Sequence, residues 1–431
     1  DTGVLLDEPE TVCTNKTRMN SAYFDESYFP SSALEMQDGL SVAEMDHPAV
    51  GRLIIGIGMS IWGRNPFGFR FMQVCFGIMM IPLLYFFGKI LFKSSIWAGV
   101  ASVLLCVDFM HYTQTRIGTL DAFLTFFILA MFAFLYFYHN AKSLHWRMIF
   151  LLLSGIMTGL AIGTKWSGCY AALGLAILYF YWMIRDLRSK EKKQKKRYRK
   201  ECLWCVLTFI CVPIAIYIIS YIPYANTIPN QGLFETIIKH SQAMLSYHTG
   251  SATNYHHPYS SRWWTWFLAL KPVFYYYEAS TNIRIYASGN PMVWGMGLLG
   301  VLFALENGIA KDDDSGIVIS VGYLLQLIPW FFVTRDTFLY HYFPMVPFLV
   351  LGVCYFFKST CNHVVTYLYK KCFVSLFIIL SICMFIVAFP FIYGLPMLWE
   401  TLENIRFVFL MIGIIVMVLY LMLCVWDSML V

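Results

Sequence analysis

Two carboxylates stand side by side in the stretch SAYFDESYF (21–29): Asp25 and Glu26. A carboxylate within reach of a hydroxyl can take its proton as a new bond forms, so the pair suits general-base chemistry. A second set of residues is cationic: Arg70, Lys165, Arg262, Arg335 and His341. Arginine offers a bidentate fork and lysine a point charge, and both suit a phosphate. His47, Arg116, Asp121, His257 and Tyr342 extend the candidates. A phosphate-bearing lipid that gives up a group to a hydroxyl needs both a base and fixed positive charge. Arginines near a membrane also snorkel to headgroups or make structural ion pairs, and the residues alone leave both readings open. A hard divalent cation wants several oxygen ligands. Asp25 and Glu26 are adjacent and lack a clear third ligand, so the site reads as metal-independent, with no cofactor.

The elements that must hold these residues are set by lipid. Of 431 residues, 59% are hydrophobic and 13% charged, and the mean hydropathy is +0.61. Stretches such as 71–88, 121–138, 202–222 and 405–426 are long enough to cross a hydrocarbon core of ~30 Å as helices. An open sheet cannot pair its backbone in lipid, and the alternation of a barrel is missing, so the chain reads as an all-α polytopic membrane protein. The net charge of +6 does not point to nucleic acid. RDLRSKEKKQKKRYRK (185–200) alone carries +8 and leaves −2 for all other residues. Such a run between apolar spans is a topology signal and stays cytoplasmic.

Counting from that loop gives eleven crossings: near 67–88, 94–107, 119–138, 148–164, 168–184, 202–222, 291–306, 316–334, 343–357, 373–394 and 405–426. The organisation expected is a first outer loop (1–66), a transmembrane catalytic core (67–222), a long outer loop (223–290) and a C-terminal bundle (291–431). The acid pair and most of the cations then gather on the outer face. The segment 49–62 is apolar, Gly-rich and short, and suits an interfacial helix in the first loop. The twelve cysteines lie mostly in apolar spans, and the Cys202-x-x-Cys205 pair sits at the mouth of one. They read as small hydrophobes rather than a disulfide framework. The sequence opens on Asp1 without a hydrophobic leader, and a first transmembrane helix is expected upstream of it.

Eight motifs in order carry a resemblance: FDESYF (24–29), HPAVGR (47–52), NPFGFR (65–70), RIGTLDAF (116–123), GTKWSG (163–168), HPYSSRWW (257–264), GNP (289–291) and RDTFLYHYFP (335–344). The chain resembles the protein O-mannosyltransferases, membrane glycosyltransferases of the GT-C fold, over nearly its whole length. It departs at Ala49 and Val50, where the family often has Pro-Leu, at Arg52 for Lys and at Phe69 for Trp. None of these removes a charged motif position.

The resemblance implies transfer of mannose from a polyprenyl-phosphate carrier to Ser/Thr hydroxyls of secreted or membrane proteins. It makes Asp25 the catalytic acid-loop residue and Glu26 its neighbour in the acceptor site, and it favours inversion at the anomeric carbon. Arg70, Arg262 and Arg335, with Lys165 and His341, are the expected partners of the donor phosphate. Eukaryotic members insert a β-trefoil domain in the long outer loop. Loop 223–290 is too short for one, so the chain resembles the bacterial branch, with a plasma-membrane location and an extracytoplasmic site. The partners expected are the lipid-linked donor, an acceptor protein and the bilayer. Two rivals remain at this point: another lipid-linked sugar transferase of the same fold, and a transporter. A transporter should show two similar halves with half-helices broken at the midplane, and no such internal symmetry is visible.

Overall fold

The computed structural model describes residues 17–42, 46–188, 198, 201–249, 257–360, 367–396 and 399–429. Most of the basic run 185–200, together with Cys13, lies outside the described residues. Among the described residues, nine helices are long and apolar enough to cross a membrane. The eleven expected crossings differ from this at two places. The segment 94–107 forms the helix Ser95–Cys106, 12 residues or about 18 Å, with Phe109–Gln114 following it after a two-residue break. Neither piece reaches the length of a crossing by itself, and Ser95–Cys106 counts as a short apolar helix. The last segment lies in the helix Trp399–Met429, of which Met411–Val425 is the described apolar stretch.

The chain forms two compact units. The first takes residues 1–80, 115–256 and 328–335. Its centre is a hairpin of the helices Asp121–Asn140 and Leu144–Thr164. Polar clamps close this hairpin at both ends. At one end Lys165 Nζ lies 2.8 Å from Asp121 Oδ1. At the other, Arg147 donates to the Tyr138 carbonyl (3.2 Å) and to Glu201 (2.9 Å), and the Tyr138 hydroxyl donates to the same Glu201 carboxylate (2.6 Å). Small residues let a third helix approach. A Cβ on Gly155 would meet the Thr208 carbonyl at 2.1 Å, and one on Gly159 would meet Pro213 at 2.8 Å. Without a hydrophobic drive between helices in lipid, close backbone contact of this kind supplies the packing. That third helix, 201–225, is apolar and mostly exposed, as expected of a span facing lipid.

In the same unit, the expected interfacial segment 49–62 forms the helix Val50–Trp62. The long loop 223–290 contributes the amphipathic helix Leu233–Thr249 here.

The second unit takes residues 81–114, 257–327 and 336–431. The helix Leu339–Thr360, entered by a 3-10 turn, is buried along most of its length and forms the core. The helix Pro291–Lys311 packs on it. The GNP motif begins that helix. The Asn290 side chain accepts from Met292 N–H and donates to the carbonyls of Val107 and Ser381. Two antiparallel strands, Val273–Glu278 and Ile283–Ala287, complete the unit, with a bulge between Phe274 and Tyr276.

Candidate active site

The 3-10 turn Phe24–Ser27 carries the acid pair. Its neighbours in sequence have different fates. Glu26 is 1% exposed, while Asp25 is half-buried. Glu26 Oε1 accepts from Arg70 Nε (2.6 Å) and from the Gly118 amide (2.7 Å). Its Oε2 accepts from Arg70 Nη2 (2.6 Å) and from the Tyr23 amide (3.1 Å). A carboxylate has about four lone-pair positions, and all are taken. Arg70 is equally committed, because it also donates to the carbonyls of Arg18 and Ser21 at 2.9 Å and lies 4.9 Å from the Tyr23 ring. Glycine is required at 118. A Cβ there would sit 2.9 Å from Phe69 and 3.4 Å from Glu26.

This clamp holds a strained turn. Phe24 has φ 55°, a conformation that costs a bulky residue of order 1 kcal/mol or more and persists only where its surroundings over-determine it. Burial, and then the Glu26 charge, push the Tyr23 phenol up to about 12. Tyr23 therefore stays neutral beside the pair at physiological pH. Arg116 is half-buried within charge reach of the same phenol.

A second group in this unit is built on the HPAVGR motif. Arg52 is fully buried at the start of its helix. It donates to Asp46 Oδ1 and to the His47 carbonyl, both at 2.7 Å. Burial works to raise the Asp46 carboxyl, but the His47 ring and the Arg52 guanidinium outweigh it and hold it below the usual carboxylate range. Burial pushes the His47 imidazole well below its ordinary value, against the pull of Asp46. The His47 ring stacks on His248, with centroids 5.4 Å apart and planes at 18°. Burial, and then the positive charge of Arg335, lower His248 as well. Lys165 acts on both histidines, and Arg335 also on Tyr170. Lys165 and Arg335 are thus the cations of one neighbourhood, the His47 and His248 rings are its neutral members, and Asp46 and Asp121 are its acids.

The remaining candidates belong to the second unit. Arg262 is exposed. His257 donates its amide to Asp336 Oδ2 (2.6 Å), and its Nδ1 accepts from the Tyr259 amide (3.2 Å). His341 Nδ1 lies 3.0 Å from both the amide and the carbonyl of Phe338: it accepts from the amide in one tautomer and donates to the carbonyl in the other. Tyr342 is fully buried, its hydroxyl against that of Tyr323 and its ring 4.8 Å from Trp294. Among the described residues, no group of three His, Cys, Asp or Glu side chains is placed to hold a metal ion.

Sequence reasoning missed Asp46 and His248, and took Arg52 only as a motif variant. His240 and His248 stand eight residues apart with Met244 between them. On a helix that spacing puts them on one face, which was the available signal.

The helical membrane bundle has the fold of the GT-C glycosyltransferases. Against the S. cerevisiae protein O-mannosyltransferase Pmt1-Pmt2 complex bound to the sugar donor, the TM-score is 0.78 at 15% identity, over 93% of this chain and 89% of that one. Against ArnT from Cupriavidus metallidurans bound to undecaprenyl phosphate it is 0.53 at 14% identity, over 98% and 73%. Two family profiles follow one another along the sequence. The dolichyl-phosphate-mannose-protein mannosyltransferase profile matches residues 19–228, and that of the C-terminal four TMM region of protein-O-mannosyltransferase matches 233–411. A polyprenol-phosphate-mannose–protein mannosyltransferase of Mycobacterium tuberculosis is 26% identical over 78% of this chain and 76% of its own length. Its counterpart in Mycolicibacterium smegmatis is 24% identical over the same shares. The chain belongs to the protein O-mannosyltransferase family.

Proposed function

We propose that this protein transfers mannose from a polyprenyl-phosphate carrier to serine and threonine hydroxyls of proteins. The observation that carries this is the pair of mannosyltransferase profiles over residues 19–228 and 233–411, with Asp25, Lys165 and Arg335 inside them. Asp25 takes the proton of the acceptor hydroxyl while its oxygen bonds to the anomeric carbon. The bond from that carbon to the carrier phosphate breaks, and polyprenyl phosphate leaves. Arg335 and Lys165 stabilise the phosphate as its charge grows. One displacement inverts the anomeric centre. Glu26 and Arg70 hold the Asp25 turn and touch neither sugar nor phosphate, since their hydrogen-bonding capacity is consumed by each other and by the backbone.

The direct test incubates membranes containing the protein with labelled mannosyl-phosphoryl-polyprenol and a Ser/Thr peptide. Label should appear on the peptide, with the anomeric configuration opposite to that of the donor. Label on a lipid instead would favour the alternative of a lipid-modifying sugar transferase of the same fold.

Two further outcomes follow from the site. Arg335→Ala should raise the donor KM by about tenfold or more, and Arg335→Lys should recover only part of it, because lysine lacks the bidentate fork. Unchanged donor kinetics in folded Arg335→Ala protein would remove Arg335 from the phosphate site. We infer an extracytoplasmic site at the plasma membrane, with the segments 1–66 and 223–290 outside and the 185–200 run inside, from the charge of that run. Single cysteines at Lys193 and Ser260, in a cysteine-free background, should therefore label from opposite sides of the membrane. Labelling of both by an impermeant reagent in intact cells would overturn that topology.

A further inference from the structure

The helix Leu233–Thr249 has no part in the mechanism above, yet two histidines pin it to the site. His240 Nδ1 lies 2.7 Å from the Tyr221 hydroxyl. From there hydrogen bonds run to Tyr217 (3.1 Å) and to Trp166 Nε1 (3.2 Å), the residue next to Lys165. His248 Nε2 lies 3.1 Å from the Asp46 carbonyl. A carbonyl only accepts, so Nε2 carries the proton and donates. The His248 ring also stacks on His47. The helix thus reaches the loop that holds Asp46, and that loop matters for a reason of charge. Asp46 is an acid within reach of Lys165. In the observed arrangement its carboxylate is occupied, with Oδ1 on Arg52 at 2.7 Å and Oδ2 3.6 Å from His47 Nε2. Were the loop to shift off Arg52, Asp46 would become a competing anion for Lys165.

We propose that His248 is a positioning residue for the lipid phosphate. It acts through the Asp46–His47 loop, keeping the Asp46 carboxylate on Arg52 and away from the cations that receive the donor. This rests on the reading of Lys165 and Arg335 as the phosphate site. His248 itself touches no substrate in this scheme. Its hydrogen bond and its ring stack are two separable contributions, so substitutions can tell them apart.

The experiment measures binding of a short-chain polyprenyl phosphate, which carries no sugar, to the purified full chain, alongside transfer kinetics. His248→Ala should weaken binding and raise the donor KM by about 5–10-fold, the scale of one lost hydrogen bond. Turnover at saturating donor and the acceptor KM should stay within about twofold of wild type. His248→Gln should recover most of the loss, because its amide can donate to the same carbonyl. His248→Phe, which keeps only the ring, should not. His240→Phe breaks the other anchor and serves as the structural control: it should lower the melting temperature without the selective loss of phosphate binding. Unchanged binding in His248→Ala overturns the proposal. So does an equal loss in His240→Phe, which would make His248 a structural anchor only. If the wild type itself fails to bind polyprenyl phosphate, the phosphate-site reading falls, and this role falls with it.

Discussion

Asp25→Asn should reduce turnover by ~100-fold or more at saturating donor while leaving donor binding near that of the wild type. The substitution keeps the shape of the side chain and removes its capacity to take a proton. It also leaves every hydrogen bond of the neighbouring clamp in place, because those bonds go to Glu26. Folding should therefore survive, and the melting temperature of the purified variant should move little. Single-turnover transfer with saturating donor is the deciding measurement. Wild-type rates in Asp25→Asn would place the base elsewhere. Asp121 is then the next acid to test, although its 2.8 Å pair with Lys165 already occupies one oxygen.

The second large effect is on folding. Arg70→Met leaves the Glu26 carboxylate buried without its counter-charge, and breaking a buried pair from one side costs about 3–5 kcal/mol. Glu26→Gln should cost less, because the amide oxygen still accepts from Gly118, although its NH₂ group faces the guanidinium. The double variant Glu26→Gln/Arg70→Met removes both charges. It should be more stable than Arg70→Met alone, with a coupling of about 1–3 kcal/mol between the two sites. If the effects simply add, the two side chains do not act as a unit. The reading of Arg70 as a phosphate ligand makes a different forecast: donor binding is lost in the double variant however well it folds.

These two experiments fall on the part of the site that was only half legible in the sequence. FDESYF marked the acid pair, and apolar length marked the spans, because both are local properties of the chain. The clamp around Glu26 was not legible. It depends on Arg70 and on the amide of Gly118, 44 and 92 residues from Glu26 in sequence, and sequence spacing says nothing about such contacts. The partners of Arg70 were hidden for the same reason: its charge and side were visible, but its bonds to Glu26 and to the carbonyls of Arg18 and Ser21 were not. The segment 94–107 was read as a full span because hydropathy reports apolar character and not where the helix ends, which is at Cys106. His248 escaped notice because 223–290 reads as a loop, and the one-face spacing of His240, Met244 and His248 becomes a signal only where that segment is helical.

The doubly clamped hairpin described above also acts as a gauge. Arg147 and Lys165 sit at opposite ends of one helix, 18 residues apart in number, or about 27 Å along its axis. Each is tied to the partner helix, so neither end can slide alone. The apolar stretch between two fixed charges is thus a preset length, close to the ~30 Å of a typical hydrocarbon core. A thinner or thicker bilayer must be met by tilting the whole hairpin or by deforming the lipid, at fractions of a kcal/mol per Å. Because Lys165 belongs both to the clamp and to the cationic neighbourhood, membrane thickness is coupled mechanically to the place where the carrier's headgroup is expected to rest.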